Sequence, residues 1–140
     1  LSPLQVLHTY QLMKIYTLSK SERICSKTLI DNMFSGGSKS FSIYPVRVVF
    51  MEVEKSDKPS ASILISVPKK RFKRAVKRNR IKRQIREAYR KNKYTLLNVL
   101  ENYKSGLAIA FIYLSSEEYP SSEIEEKIKL ALTKIGEKLE

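Results

Sequence analysis

Two hydrophobic periods alternate along the chain, and their order predicts its architecture. Leu29, Ile30, Met33 and Phe34 recur at helical spacing before Gly36-Gly37 stops the run, which predicts a short amphipathic helix ending near Ser35. Ser19 and Glu22 have capping-box spacing ahead of it, and Ser26 is a second candidate N-cap. From Phe41 to Val53 the chain is rich in Tyr, Val and Phe, and Val46, Val48 and Phe50 share one face at period two. Pro45 marks an edge or a kink near the start of this strand. A polar turn from Glu54 to Ser60 leads to a second strand, Ser62 to Val67, expected to form a hairpin with the first.

Pro68 closes that strand, and a helical pattern holds from about Arg74 to Lys91. Ile81, Ile85, Ala88 and Tyr89 form its apolar stripe. At about 100° per residue, Asn79, Arg83, Arg86 and Arg90 cluster on the opposite side, with Arg80 and Lys91 on one flank and Arg78 and Lys82 on the other. Tyr94 to Tyr103 predicts further helical turns. Leu107 to Leu114 is apolar at nearly every position and reads as a buried strand. Ser122 and Glu125 form a capping box after Pro120, opening a last amphipathic helix through Ile124, Ile128, Ala131, Leu132, Ile135 and Leu139. The strands before and after the basic helix are candidate parallel neighbours bridged by it. The expected fold is therefore α+β, a two-layer sandwich whose central, mostly antiparallel sheet carries a basic crossover helix and flanking helices.

Charge sharpens this picture. The sequence has 27 Lys and Arg against 14 Asp and Glu. From Pro68 to Lys93 there are 14 basic residues and one acid, Glu87, so the remainder of the chain is neutral. Like charges at i,i+4 on a helix cost roughly 0.2–0.5 kcal/mol per pair. A sequence that tolerates such crowding points to a polyanionic partner, whose phosphates release counterions on binding. Seven of the 14 are Arg, suited to bidentate phosphate contact. A merely solvated face and an amphipathic helix on anionic membrane are the alternatives; the stripe has no Trp or Phe and is needed for the core.

Cys25 is the only cysteine and His8 the only histidine, so neither an internal disulfide nor metal-ligand spacing is available, and a cytoplasmic setting fits. No apolar run approaches the roughly 18 residues of a membrane span. Residues 1–17 read as a tail and 18–140 as one domain. Met13 is a candidate start, with residues 1–12 either upstream sequence or a ragged end.

The segments Ile65-Ser66-Val67-Pro68-Lys69-Lys70 and Ala75-Val76-Lys77-Arg78-Asn79-Arg80-Ile81-Lys82-Arg83-Gln84-Ile85-Arg86-Glu87-Ala88-Tyr89-Arg90 closely resemble the bacterial ribonuclease P protein family. Weaker similarity runs from about Leu18 to Lys138 and includes Glu22-Arg23-Ile24. The resemblance implies a left-handed crossover through the basic helix. It implies that Lys69, Lys70, Arg78, Asn79, Arg80, Lys82, Arg83, Arg86 and Arg90 face the catalytic ribonuclease P RNA. It also implies that Ile30, Phe34 and Phe50 line a cleft for the 5′ leader of precursor tRNA. Core packing is an equal reading for Phe34 and Phe50, and Asn79 is also a possible local cap. The family usually has Ser at position 68, Gly-Asn at 73–74 and Phe at position 30.

The expected function is thus the RNA-binding subunit of a Mg²⁺-dependent endonuclease. The Mg²⁺ is held mainly by RNA, no metal or catalytic residue is supplied by this chain, and no protein partner is required. A structural RNA-binding protein, a duplex-DNA binder and a protein-only nuclease are the competing classes. The last would need carboxylate clusters, and Glu117-Glu118 and Glu123-Glu125-Glu126 read better as loop acids and helix N-terminal charges.

Overall fold

The computed structural model describes residues 18, 22–24, 26–36, 38–55 and 60–139. The tail, Ser19, Cys25 and Gly37 lie outside these, as does most of the polar turn before Ser60. The elements run α1 (Lys27–Phe34), β1 (Lys39–Ile43), β2 (Val46–Val53), β3 (Ala61–Ser66), α2 (Ala75–Asn92), α3 (Tyr94–Leu100), β4 (Gly106–Tyr113) and α4 (Ser121–Leu139). Ser26 caps α1, its hydroxyl accepting from the Leu29 N–H at 3.3 Å. Gly36, just past the helix, has φ +106°, a conformation that side chains resist.

The expected strand over Phe41–Val53 is two strands. Pro45 has no N–H to give a ladder, so it sits in the tight turn between β1 and β2. Its carbonyl accepts from the Leu114 N–H at 2.8 Å, tying the turn to the end of β4.

The four-stranded sheet has the order β1-β2-β4-β3. β1–β2 and β2–β4 are antiparallel, whereas β3–β4 is parallel, with Ile63 opposite Ile109. The expected hairpin between the Phe41–Val53 strand and β3 is therefore corrected: β4 lies between them. Its segment GLAIAFIY is apolar on both faces and almost wholly buried, so the central position suits it, and β3 moves to the far edge. The parallel β3–β4 pair spanned by α2 is as expected. Gly106 begins β4 where a Cβ would come within 3.1 Å of the Ser60 carbonyl, a close approach that a side chain would force apart by a few tenths of an ångström.

Alternation along each strand divides two cores. On one face Val46, Val48, Phe50, Ile63, Ile109 and Phe111 meet α2 and α4. On the other, Val49, Ala108 and Ala110 meet Ile24 and Met33, with Met51, Val53, Leu64 and Ile112 half-buried beside them. α4 starts at Ser121, two residues earlier than a cap at Ser122 would place it. Pro120 accepts from the Glu123 and Ile124 N–H groups, both at 3.1 Å, so Ser122 lies in the first turn rather than at the cap. Glu125 instead accepts from Asn92 Nδ2 at 3.2 Å.

Candidate nucleic-acid interface

α2 is held by its buried stripe against unfavourable capping and charge placement. Ile81, Ile85, Ala88 and Tyr89 are all nearly inaccessible. Arg74 at the N-cap makes no side-chain cap bond, and the first turn has no acid. Lys77 and Arg78 sit instead near the positive end of the helix dipole, an unfavourable placement. Only at the far end, with Arg90 and Lys91 in the last turn, does charge agree with the dipole. Tyr89 packs its ring on Phe111 at 6.2 Å, and burial pushes its hydroxyl pKa up.

The loop ahead of α2 is built on Phe72, which is buried with its ring 6.0 Å from Tyr113. Pro68 C=O accepts from the Arg71 N–H at 3.0 Å, turning the chain so that Lys69 and Lys70 face outward. Arg78 Nη1 donates to the carbonyls of Phe72 and Lys73, both at 2.8 Å, and so braces the loop. Sequence reasoning missed that local role; a guanidinium four to six residues after an uncapped turn was its only signal.

Of the remaining expected residues, Asn79, Arg80 and Arg83 are exposed, and Lys82 and Arg86 are half-buried on the flank towards β3. Arg80 lies 3.8 Å from Glu118 but keeps 70% of its side chain exposed, so solvent screens that pair. Arg90 grips Glu87 through Nη2 at 2.7 Å and Nε at 3.1 Å. That hydrogen-bonded guanidinium holds the Glu87 carboxyl below the usual glutamate range. Lys69, Lys70, Asn79, Arg80 and Arg83 are thus presented outward, whereas Arg78 and Arg90 also serve the fold.

A buried ion pair fixes the end of α2 to the start of the described chain. Lys93 Nζ lies 3.0–3.1 Å from both oxygens of Glu22, and only 3% of the Lys93 side chain is exposed. Such a pair is costly to break from one side, since the survivor is left charged and buried.

The three expected cleft residues do not share one surface. Ile30 packs partly buried over the second core and Phe34 is 50% exposed at the end of α1. Phe50 is 2% exposed and points to the opposite face, its ring 6.0 Å from Phe41 in the core under α4. Phe50 is therefore corrected to a core residue. Its neighbours in register, Val49, Met51 and Val53, face α1, and the same period-two pattern read in its other phase carries that signal. Among the described residues, no group of three or more His, Cys, Asp or Glu is placed to hold a metal ion. No helix among them is long and apolar enough to cross a membrane.

A mixed four-stranded sheet with a polybasic crossover helix marks this chain, and solved structures share its fold. The RNase P protein from Thermotoga maritima matches with a TM-score of 0.63 at 24% identity, over 81% of this chain and 96% of its own. The Staphylococcus aureus RNase P protein matches with a TM-score of 0.66 at 22% identity, over 86% and 100%. Sequence similarity is closer to the ribonuclease P protein component of Porphyromonas gingivalis, 42% identical over 121 residues that cover 86% of this chain and 88% of that protein. The Ribonuclease P family profile spans residues 18–136. The chain belongs to the ribonuclease P protein family, whose place is in tRNA processing.

Proposed function

We propose that the chain binds the catalytic ribonuclease P RNA through the outward side of α2 and its preceding loop. There it supports Mg²⁺-dependent endonucleolytic removal of the 5′ leader from precursor tRNA. The observation that carries this reading is the polarity of α2: one stripe is buried, and eight of the fourteen other residues are cations with a single acid among them. Lys69, Lys70, Asn79, Arg80, Lys82, Arg83 and Arg86 would meet RNA phosphates, each neutralised phosphate adding to the salt dependence of binding. Arg78 and Arg90 would contribute field while bracing the loop and Glu87. The chain's part is to bind and orient; hydrolysis is carried by the RNA, which also holds the Mg²⁺. The setting is the cytoplasm, and no protein partner is needed.

The leader of the precursor would lie along α1, on the sheet face that carries Met51, Val53, Leu64 and Ile112. Phe34, half exposed beside Ile30, offers an aromatic surface to an unpaired base, a contact worth roughly 1–3 kcal/mol in comparable sites. The test is cleavage of precursor tRNA by a bacterial ribonuclease P RNA at low millimolar Mg²⁺, with and without the protein. Stimulation that fades as the leader is trimmed is the expected result. Binding without stimulation would reduce the chain to a structural RNA-binding protein, and cleavage by the protein alone would make it a nuclease in its own right.

A further inference from the structure

Beside the outward ridge of α2 lies a groove of about 260 Å³ over the outer edge of β3. Its lining is aliphatic at Leu18, Ile24, Ile63, Leu64 and Ile65, and cationic at Arg23, Lys82 and Arg86. The cations come from two separate elements. Lys82 and Arg86 are one turn apart on α2, and their half-buried stems pack towards the groove. Arg23 faces them from the segment before α1. No carboxylate lines the groove among the described residues.

Arg23 is held there by its neighbours. Glu22 is tied to Lys93 by the buried ion pair, and the Ile24 N–H donates to the Ile63 carbonyl at 2.8 Å. The backbone of residue 23 is thereby clamped on both sides, while its own side chain stays exposed. The edge of β3 also has capacity to read a ligand. Ser60 turns its carbonyl inward to the Leu107 N–H, and Ile63 turns its own outward to Ile24. By alternation the Ile65 peptide group points to the same edge.

We propose that this notch receives a single unpaired nucleotide of the RNA subunit. Its base lies on Leu18 and Ile65, partly exposed residues of the floor, with its edge towards the Ile65 peptide group, and its flanking phosphates lie against Arg23, Lys82 and Arg86. This rests on the RNA-binding reading of α2 and extends it from a charged surface to a defined pocket. Three converging cations without an acid select a polyanion, and an apolar floor excludes a fully paired duplex strand, whose bases are stacked away. The notch is continuous with the α2 ridge through Lys82 and Arg86, which assigns its occupant to the same RNA that the ridge binds. Its aliphatic floor favours recognition of an extruded base by contact and backbone hydrogen bonding rather than by ring stacking.

Site-directed photocrosslinking in the reconstituted holoenzyme, with labelled precursor tRNA bound, tests this. A Cys25→Ala background leaves an introduced thiol as the only one in the chain. A photoreactive group is then attached at Ile65→Cys, or at Val76→Cys, which is 79% exposed and two turns from Arg83 on the same side of α2. The expected result is a discrete crosslink from position 65 to one unpaired nucleotide of the RNA subunit. In parallel, Arg23→Ala should weaken RNA-subunit binding about tenfold, as loss of one charge-assisted contact does, with partial rescue by Arg23→Lys and an unchanged urea midpoint. A crosslink from position 76 with none from 65, together with unchanged affinity of Arg23→Ala, would overturn the notch and leave the α2 reading standing. A crosslink from 65 to the precursor would overturn the assignment of its occupant. Silence at both positions would overturn the α2 reading itself.

Discussion

α2 and α4 have nearly equal length, lie on the same face of the sheet and pack against each other, yet they treat charge in opposite ways. α4 buries Ile124, Ile128, Ala131, Leu132 and Ile135, and along its surface four Glu balance four Lys. Glu123 stands in its first turn and Lys138 in its last, each where the dipole favours it. α2 buries a similar stripe but carries eight cations and one acid, with cations crowding its positive end. α4 is thus locally self-consistent, whereas α2 depends on the core beneath it. The difference separates what a helix needs in order to fold from what it presents to a partner.

The largest expected effect tests the shared half of that comparison. Ile85→Ala in α2 and Ile128→Ala in α4 each remove a fully buried side chain, and each should cost about 2–5 kcal/mol in urea unfolding. A much smaller loss at Ile85 would show that α2 is not held by its stripe. The next effect concerns the half that differs. Replacing Arg83 and Arg86 together by Ala should lower the slope of log K against log salt for RNA-subunit binding by about one to two units. Lys129→Ala on the exposed side of α4 should leave that slope unchanged; equal effects from the two helices would erase the distinction.

The smallest effect concerns the one acid of α2. Because Arg90 depresses the Glu87 pKa in the folded state, the ionised carboxylate stabilises the fold above the ordinary glutamate value. That contribution is lost as pH falls through the lower folded value. Glu87→Gln should therefore remove a small acid-side slope in stability while leaving stability near pH 7 within a few tenths of a kcal/mol, since the pair is largely solvated. An unchanged acid slope in this variant would mean that the Arg90 contact contributes nothing in solution.

Periodicity made much of this legible. The Leu107–Leu114 run read as a buried strand, as β4 is, and the Ile81–Tyr89 stripe already turned the cations of α2 outward. Ser26 was a recognisable cap. What periodicity left open was pairing. A polar stretch between two strands looks like a hairpin turn, and nothing local reveals that a third strand, β4, inserts between them. The Phe50 error has a related origin. Both phases of VRVVFMEV are largely apolar, so alternation separates two faces without saying which helix covers which. Arg23 stood only in a weaker stretch of family similarity, with no local pattern to place it; its position follows from the Glu22–Lys93 pair, a contact across 71 residues.

The strand order also constrains how the chain comes to exist. β4 is the last strand made and the only one that touches both β2 and β3. During synthesis, the β1–β2 hairpin and β3 must wait through the whole polybasic crossover with open edges. The sheet closes only when residues 106–113 arrive to fill the gap. Its contacts are therefore dominated by long sequence separations, which makes closure a late and comparatively slow event. The dense positive charge bears on this stage as well: the waiting strands remain attached to a segment that repels its own copies on neighbouring chains.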